Sequence, residues 1–511
     1  MNRRAFLTAL GAVATQQKLG NIPFDSPLVN EPASDALITT TRFPYVQNVR
    51  ADKASILWAT LDAGFGGVQY SPDGVNFNTV AARSRMFNRV DTGTANFVQY
   101  QADLTGLSAD TEYVYRVTVN GADVAAAGDM RFRTPGSGPF NFFVLGDSGW
   151  GIANQTDEQY AISLRMLAEK PSLVLHLGDL VYNPSGTFDS YQRNYFNYYA
   201  ASMSSVPFFP CPGNHDYEVQ NAAAYLAIHA LPGETVPAAD RGRYYSFDWG
   251  NVHFVSLDAM LSLQRAVTAG GAMLRWLDND LRSTRQFWKV VFFHQPPFAT
   301  GNNEGDRESL AARAYLVPIL ERNGVQVVLC GHEHSYQRAV PQRNGNIVGP
   351  NAGTNYITSG GGGALLYPVL NKPIVAFGRS AFHYLRGEVR GMRITIRSIR
   401  YDGVEVLDNY SIAPTPAFSD EPRVPPITLN PGPSAGATIR IVGRALAAEE
   451  SFVCTPALPS DLAGTVVTVN GRPIQLLYVS PTQIYGQLPF AVDGNITVRV
   501  TTANGFIETS I

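Results

Sequence analysis

The sequence FNFFVLGDSG, at residues 140–149, contains an apolar run that ends abruptly in Gly-Asp. Residues 140–145 have the length and composition of a strand that is buried on both faces. Gly146 permits a sharp turn directly after this strand, so Asp147 lies at its carboxyl end. Such a strand is typical of an α/β sheet, in which the loops at the carboxyl ends of the strands form a common crevice.

Further apolar runs along the chain also end in short polar motifs. These motifs are Gly-Asp-Leu-Val-Tyr at 178–182, Gly-Asn-His-Asp at 213–216, Val-Phe-Phe-His at 291–294 and Gly-His-Glu-His at 331–334. Stretches with helical character lie between the runs, and strand–helix alternation is the pattern of an α/β core. The sequence therefore predicts a central α/β domain over residues 137–413.

The polar residues of these five motifs are expected to meet in one crevice of the central domain. The candidate metal ligands are Asp147, Asp179, Tyr182, Asn214, His294, His332 and His334. Carboxylate, imidazole and amide groups suit Fe, Mn or Zn, and this set is too large for one tetrahedral zinc. It fits two metal ions that share a bridging carboxylate. A trivalent iron can displace the phenol proton of Tyr182, although this tyrosine, taken alone, could equally pack against its strand.

Segments rich in β-structure flank the central domain. Residues 38–136 alternate apolar and polar side chains, and Tyr113 opens a late strand after a turn, which is typical of fibronectin-like and immunoglobulin-like sandwiches. Residues 414–435 are rich in proline and predict a linker. Residues 436–511 resemble an Ig-like C-terminal module of secreted bacterial proteins. The expected fold class is multidomain: an N-terminal β-sandwich, a central α/β domain and a C-terminal β-sandwich.

The chain begins with MNRRAFLTALGAVA, in which the paired Arg3 and Arg4 precede a short apolar stretch. This layout resembles a twin-arginine export signal, so residues 1–35 are predicted to be a signal and spacer. The alternative is a frayed cytoplasmic N-terminus. With the signal, the protein is expected to be exported, either to the periplasm or out of the cell.

Composition excludes some classes of protein. The formal net charge is only −3, which disfavours nucleic acid as a dedicated partner. No apolar run approaches the roughly 18 residues of a transmembrane segment. The cysteines, Cys211, Cys330 and Cys454, are too few for a disulfide framework, and the first two lie in apolar runs that predict buried thiols. The oligomeric state is left open.

The five motifs, in this order, resemble those of the purple acid phosphatases within the binuclear metallophosphoesterases. The preceding sandwich domain resembles that of the plant-type and related bacterial members. The resemblance implies an αββα sandwich for the central domain and two metal ions per chain. By this resemblance, Asp147, Tyr182 and His334 would hold Fe(III), Asp179 would bridge, and Asn214, His294 and His332 would hold a divalent Zn, Mn or Fe ion.

The resemblance also implies an activity. The protein would be an exported phosphatase that hydrolyses small phosphomonoesters by attack of a metal-bound hydroxide on phosphorus, and His215 would assist the leaving group. Many family members have a histidine nine or ten residues after the position of His294. Here Asn303 and Glu304 stand in that place. They are weaker candidates for substrate binding, because asparagine can donate a hydrogen bond but cannot supply a proton.

That departure leaves other functions open. The same metal centre could act on a phosphodiester or a nucleotide. A third possibility is a non-catalytic cell-surface binding protein. Other conspicuous residues have simpler interpretations: His176 is expected to be a core histidine, Tyr336 and Arg338 to be structural, and the glycines at 360–363 to form a tight turn, since no Lys-Ser/Thr follows them.

Overall fold

The structure is a computed structural model that describes residues 38–510, apart from 93–95, 125–128, 152–156, 220, 261–270, 415–416, 419–434, 454–457 and 493–494. The predicted export signal and most of the predicted linker lie outside the described residues. Among the residues described, no helix is both long enough and apolar enough to cross a membrane.

Two antiparallel sheets form the N-terminal domain. One sheet has the order β1-β2-β6-β5, and the other has the order β4-β3-β7-β8 with β9 also paired to β7. Trp58 and Tyr100 stack between the sheets with ring centroids 5.1 Å apart. The Tyr113 hydroxyl accepts a hydrogen bond from the Ser108 amide across the preceding turn. The strands are β1 (Thr40–Gln47), β2 (Lys53–Thr60), β3 (Gly66–Ser71), β4 (Asn78–Ala81), β5 (Arg83–Phe87), β6 (Phe97–Thr105), β7 (Glu112–Val119), β8 (Ala122–Asp123) and β9 (Met130–Arg133).

The central domain contains two larger sheets. Their strands are β10 (Phe140–Leu145), β11 (Leu173–His176), β12 (Phe208–Pro210), β13 (Tyr245–Trp249), β14 (Val252–Ser256), β15 (Trp288–Phe292), β16 (Val327–Cys330), β17 (Tyr336–Ala339), β18 (Gln342–Arg343), β19 (Asn346–Ile347), β20 (Asn355–Ser359), β21 (Val375–Arg379), β22 (His383–Arg390), β23 (Arg393–Arg400) and β24 (Val406–Ile412). One sheet has the order β12-β11-β10-β22-β23-β24, and the other β13-β14-β15-β16-β20-β17-β21. A small hairpin joins β18 to β19.

The strand β10 shows how the two sheets pack. Phe142 and Val144 point into the core between the sheets, whereas Phe143 and Leu145 point into a second core beneath the helices. A third core lies between the other sheet and its own helices. Successive side chains of a strand point to opposite faces of the sheet, so a strand that is buried on both faces requires an uninterrupted run of apolar residues. The predicted αββα sandwich is confirmed.

The helices cover the outer faces of the two sheets. One long helical segment, residues 188–203, changes from α to π and back to α, and a second such segment covers residues 307–322. The bounds are Asp157–Glu169, Phe188–Tyr191, Gln192–Phe196, Asn197–Met203, Ala223–Ile228, Ala272–Ser283, Arg307–Ala311, Ala312–Leu316 and Val317–Arg322, with short 3₁₀ turns at His215–Tyr217 and Ala238–Asp240 and a single turn at Arg89–Thr92 in the N-terminal domain.

The first sheet is not parallel throughout. The strand β10 pairs in parallel with β11 but antiparallel with β22, and the hairpins β22-β23-β24 complete that side of the sheet. These late strands have the alternating burial of an antiparallel sheet. The strand–helix alternation that predicted the core does not extend to them.

The C-terminal region also forms two sheets, around a core that includes Ile441, Leu476 and Val498. Its strands are β25 (Ala417–Phe418), β26 (Thr438–Arg444), β27 (Ser451–Phe452), β28 (Asp461–Leu462), β29 (Thr465–Val469), β30 (Arg472–Pro473), β31 (Gln475–Val479), β32 (Gln483–Gln487), β33 (Thr497–Thr502) and β34 (Gly505–Ser510). Cys211 and Cys330 are free and buried, as predicted, and Cys454 lies outside the described residues.

Candidate metal centre

The backbone turns sharply where several predicted ligands follow their strands. Asp147, Asp179 and His332 have φ angles of 57°, 48° and 68°, which lie in the left-handed region. Non-glycine residues seldom adopt this conformation, and aspartate and histidine tolerate it better than most. Strained backbone of this kind concentrates at functional sites. These three turns aim the side chains of both sheets at one point.

Glycine is required at two positions because other ligands approach the backbone closely. A Cβ atom at Gly213 would lie 2.2 Å from Asp179 Oδ1. A Cβ atom at Gly331 would lie 2.5 Å from Asp147 Oδ2. No real side chain tolerates such contacts, so the glycines permit the carboxylates to occupy the centre of the crevice.

Gly213→Ala is expected to lower the free energy of unfolding by at least about 2 kcal/mol and to displace Asp179. Gly138→Ala is the matched control, because a Cβ atom there would meet nothing within 4 Å. Thermal unfolding of both variants and their bound metal content would check this. Unchanged stability and metal content in Gly213→Ala would contradict the geometry.

Two buried carboxylates and a phenol form the middle of the cluster. Asp147 and Asp179 are at most 1% exposed. The Tyr182 hydroxyl lies 3.2 Å from Asp147 Oδ1, 3.0 Å from Asp179 Oδ2 and 3.2 Å from His334 Nε2. Burial, together with the charges of Asp179 and Asp147, raises the pKa of the Tyr182 phenol well above its ordinary value. In the absence of a cation, the phenol therefore keeps its proton and donates hydrogen bonds to the two carboxylates.

The two ring nitrogens of His294 have different surroundings: Nδ1 points away from the carboxylates of the cluster and Nε2 points toward them. Its Nδ1–H donates to the Leu177 carbonyl over 2.7 Å. Its Nε2 lies 3.1 Å from Asp179 Oδ2 but is buried without a hydrogen-bond partner. Burial alone would lower the pKa of this histidine, but the charges of Asp179 and Asp147 outweigh burial and raise it to about 9. Bound cations would replace that proton.

The other two histidines show the same arrangement. His334 Nδ1–H donates to the Leu365 carbonyl over 2.6 Å, and its Nε2 lies 3.3 Å from Asp147 Oδ1. His332 Nε2 bonds to Asp306 over 3.1 Å, which leaves Nδ1 for a metal. Outer partners that orient one ring nitrogen are typical of metal-binding histidines.

Asn214 and His215 approach the cluster from the loop after β12. Asn214 Oδ1 is buried and has no hydrogen-bond partner among the described residues. The His215 amide donates to Asp179 Oδ1 over 2.8 Å, and its ring Nε2 lies 4.0 Å from Asp179 Oδ2. His215 Nδ1 lies 2.5 Å from Glu218 and 2.9 Å from the Ser185 hydroxyl. The ring is therefore held with Nε2 toward the carboxylates.

These residues fit a metal centre on two observations. Possible ligand atoms of Asp179, His294 and His332 all lie within 4.8 Å of one another. Two buried polar atoms, His294 Nε2 and Asn214 Oδ1, lack the partners that buried polar atoms normally require. A bound cation is one kind of partner that such atoms accept. The structure brings together all seven predicted ligands, with His215 beside them; their binding of metal stays a prediction.

Sequence reasoning missed Asp306 and Glu333. Glu333 is fully buried, and its carboxylate accepts the amides of Asn302 and Asn303 over 2.9 Å each. These two hydrogen bonds fix the loop that carries Asp306, whose carboxylate contacts the His332 ring. A carboxylate between two histidines of a metal motif was the available signal for Glu333, whereas nothing near Asp306 in the sequence marks it.

The candidate substrate residues are tied to protein groups. Asn303 Nδ2 donates to the His332 carbonyl over 2.7 Å. Glu304 pairs with Lys372 over 2.7 Å at the surface. Asn303 thus lies at the edge of the cluster, and Glu304 faces away from its carboxylates toward a lysine.

Other conspicuous residues are structural, as predicted. His176 is buried against the Ser148 hydroxyl, and burial lowers its pKa to about 3, so it is neutral. Tyr336 and Arg338 both bond to Asp408, over 2.8 Å and 2.7 Å. The glycines at 360–363 pack against the loop after β10, where the Gly362 amide donates to the Gly146 carbonyl.

Parts of the chain are similar to known proteins. Residues 140–336 match the calcineurin-like phosphoesterase family. An uncharacterized protein of Mycobacterium tuberculosis is 27% identical over 61% of this chain and 66% of its own length. Acid phosphatase type 7 of Mus musculus is 27% identical over 47% of this chain and 61% of its own length. The chain thus spans less than two thirds of these relatives.

A solved structure agrees in fold. The purple acid phosphatase PPD1 from seeds of yellow lupin (Lupinus luteus) aligns with 73% of this chain and 74% of its own, with a TM-score of 0.63 at 18% identity. Residues 140–336 are a calcineurin-like metallophosphoesterase domain, and the chain is a homologue of the purple acid phosphatases.

Proposed function

We propose that the protein hydrolyses small phosphomonoesters at a binuclear metal centre. One observation supports this most directly: two buried aspartates, Tyr182 and three histidines meet in one cluster. Each of these histidines also has one ring nitrogen bonded to a protein group outside the cluster. Such a set offers carboxylate, phenolate and imidazole ligands to two cations without any thiolate. Together with the phosphoesterase match, it favours phosphoryl chemistry over a binding role.

Particular residues would hold the metals. Asp147, Tyr182 and His334 would hold Fe(III), Asp179 would lie between the sites, and Asn214, His294 and His332 would hold Zn, Mn or Fe. Bound cations would supply Lewis acidity toward the phosphoryl oxygens and the attacking water. The assignment of iron rests on Tyr182, because a phenol is protonated at neutral pH and a trivalent metal ion can displace that proton and hold the phenolate.

The protein's own groups would orient the substrate and move a proton. His215 lies beside Asp179 with Nε2 inward, where it can donate a proton to the departing alkoxide. Glu218 and Ser185 hold the other ring nitrogen and so fix the orientation of the imidazole. Glu333 would keep the loop of Asn303 in place at the edge of the site.

A visible absorption spectrum with metal analysis would test the metal assignment. We expect a broad band from a tyrosinate–iron pair in the wild-type protein, and its loss in Tyr182→Phe. The matched control is Tyr367→Phe, which alters a tyrosine that stacks on His334 with centroids 4.1 Å apart but does not touch the carboxylates. A colourless protein that contains two metal ions per chain would contradict iron and favour Mn or Zn.

A second substrate class is supported by one observation. Asn303 and Glu304 stand where many family members have a histidine. The Asn303 side-chain amide donates to the His332 carbonyl, and Glu304 forms an ion pair with Lys372. No additional proton donor is supplied there, which suits a phosphodiester or a nucleotide as well as a monoester. Parallel assays with nitrophenyl phosphate and bis-nitrophenyl phosphate would separate the two.

Export to the periplasm or beyond remains part of the proposal, on the sequence of residues 1–35 alone. Fractionation of cells that express the full chain would test it, with Arg3 and Arg4 both replaced by lysine as the control. Retention of wild-type protein in the cytoplasm would contradict export.

A further inference from the structure

Six apolar residues in succession, Leu-Leu-Tyr-Pro-Val-Leu at 365–370, form an irregular stretch at the surface of the central domain. We call it the apolar segment. None of its residues is buried, and Leu365 and Leu370 are 48% and 41% exposed. Single exposed apolar residues are ordinary on a protein surface, whereas a contiguous exposed patch marks a site of contact. The apolar segment is therefore a candidate binding surface.

Backbone hydrogen bonds tie the beginning of this segment to the candidate metal ligands. The Ala364 amide, directly before it, donates to the Asp147 carbonyl over 2.9 Å, and the Tyr367 amide donates to the His334 carbonyl over 2.9 Å. The Leu365 carbonyl accepts the Nδ1–H of His334 over 2.6 Å. The apolar segment thus lies directly beside two predicted ligands that come from different loops.

The end of the segment is fixed to the loop on the opposite side. The Leu370 amide donates to the Thr300 hydroxyl over 3.2 Å, and that hydroxyl donates to the Leu370 carbonyl over 3.0 Å. Thr300 precedes the loop that carries Asn303 and Asp306 at the edge of the cluster. Because both ends are held, the segment needs little ordering when a ligand binds, which favours affinity.

Aromatic rings extend this apolar surface to the cluster itself. The Tyr367 ring stacks on the His334 imidazole, with centroids 4.1 Å apart and 8° between the planes. The Trp150 ring centroid lies 5.3 Å from that of Tyr182. Tyr367 and Trp150 both remain partly exposed. A molecule bound at the cluster therefore meets apolar surface beside two of the predicted ligands.

The charge near the segment does not favour a substrate with several phosphates. Lys372 is the only cationic residue between positions 364 and 378, and it pairs with Glu304 over 2.7 Å. A second phosphate group is normally held by a lysine or arginine that is available to it. The edge of the site formed by residues 365–372 instead offers apolar side chains and a neutralised lysine.

We propose that the alcohol portion of the substrate is apolar, a short alkyl or aryl group of a small soluble ester, and that it contacts the apolar segment. This inference rests on the proposed function, because it adds a substrate class to the same site. A methylene group that is fully removed from water strengthens binding by about fourfold. Contact with a partly exposed surface is expected to give about half that factor for each methylene.

Calorimetric titration of the metal-loaded full chain with ethylphosphonate and hexylphosphonate tests the inference without requiring turnover. We expect the wild type to bind hexylphosphonate at least about tenfold more tightly. The double variant Leu365→Ser, Leu370→Ser is expected to reduce this ratio to about threefold or less. Ile347→Ser is the matched control, because Ile347 is a 67% exposed apolar residue of the hairpin β18–β19, and it should retain the wild-type ratio.

Equal affinity for the two phosphonates, or no binding of either, would overturn the inference. A preference for hexylphosphonate that persists unchanged in the double variant would overturn it equally. Hydrolysis of ethyl phosphate by the metal-loaded wild type separates this result from the proposed function. Hydrolysis without a chain-length preference in binding would remove only the substrate class, whereas the preference without any hydrolysis would contradict the hydrolase and retain the apolar contact.

Discussion

Asp179→Asn is expected to lower kcat/KM for phosphoester hydrolysis by at least about 1,000-fold. Oδ1 of this residue accepts the His215 amide, while Oδ2 faces both Tyr182 and His294. An asparagine keeps nearly the same shape but removes the charge that would lie between the two cations. Metal catalysis contributes several kcal/mol, and about 4 kcal/mol corresponds to this factor in rate.

Metal content separates loss of the centre from loss of the fold. We expect Asp179→Asn to retain its circular dichroism but to bind less than two metal ions per chain. Asp189→Asn is the matched control, because that carboxylate belongs to the same domain and pairs with Arg193 at the surface. Full activity in Asp179→Asn would contradict the role of Asp179 at the metal centre. Absence of hydrolysis by the metal-loaded wild type would contradict the hydrolase proposal and favour the binding-protein alternative.

Much of the central fold was predictable because the same short segments must form buried strands and must also end in turns that present the candidate ligands. A strand such as β10 must be apolar on both faces, and its end must turn sharply on Gly146 to present Asp147. Both demands are local and therefore visible in the sequence. The order of the five motifs, through the family it resembles, implied that two sheets face each other, which no single motif specifies.

The residues that orient the ligands were harder to predict. Asp306 reaches His332 only because Glu333 accepts two amides of the intervening loop, and the fold brings these groups together across 26 to 31 positions. Periodicity and turn signals report on neighbours in sequence, not on such contacts. The antiparallel strands β22–β24 were missed for a related reason, since their partner β10 lies more than 200 residues earlier.

Arg42, a buried residue of β1 in the N-terminal domain, shows the same limit. An arginine near the start of a strand has the sequence signature of a solvated surface residue. Only the docking of the segment 188–203 buries it against Phe196 and Gln192. The burial of this cation depends on two domains and cannot be read from the sequence of either one.

With an alkyl phosphate as substrate, His215→Ala is expected to lower kcat by about 100-fold or more while the metal content stays unchanged. The residue lies beside the cluster, with Nε2 4.0 Å from Asp179 Oδ2, and it is not among the predicted ligands. General acid catalysis by a positioned histidine typically contributes factors of this size.

The nature of the leaving group distinguishes proton donation from a structural role of His215. With a nitrophenyl ester the departing oxygen needs little protonation, so the defect should be small; with an alkyl phosphate it should be large. A structural role would slow the reaction of both substrates equally.

Glu218→Gln, which weakens the contact to His215 Nδ1, is expected to cause a milder defect of about tenfold with the same dependence on the leaving group. Glu405→Gln, at a surface ion pair with Arg400, is the control and should leave both rates unchanged. Equal losses on both substrates in His215→Ala would exclude His215 as the proton donor and reduce it to a residue that orders the loop of Asn214.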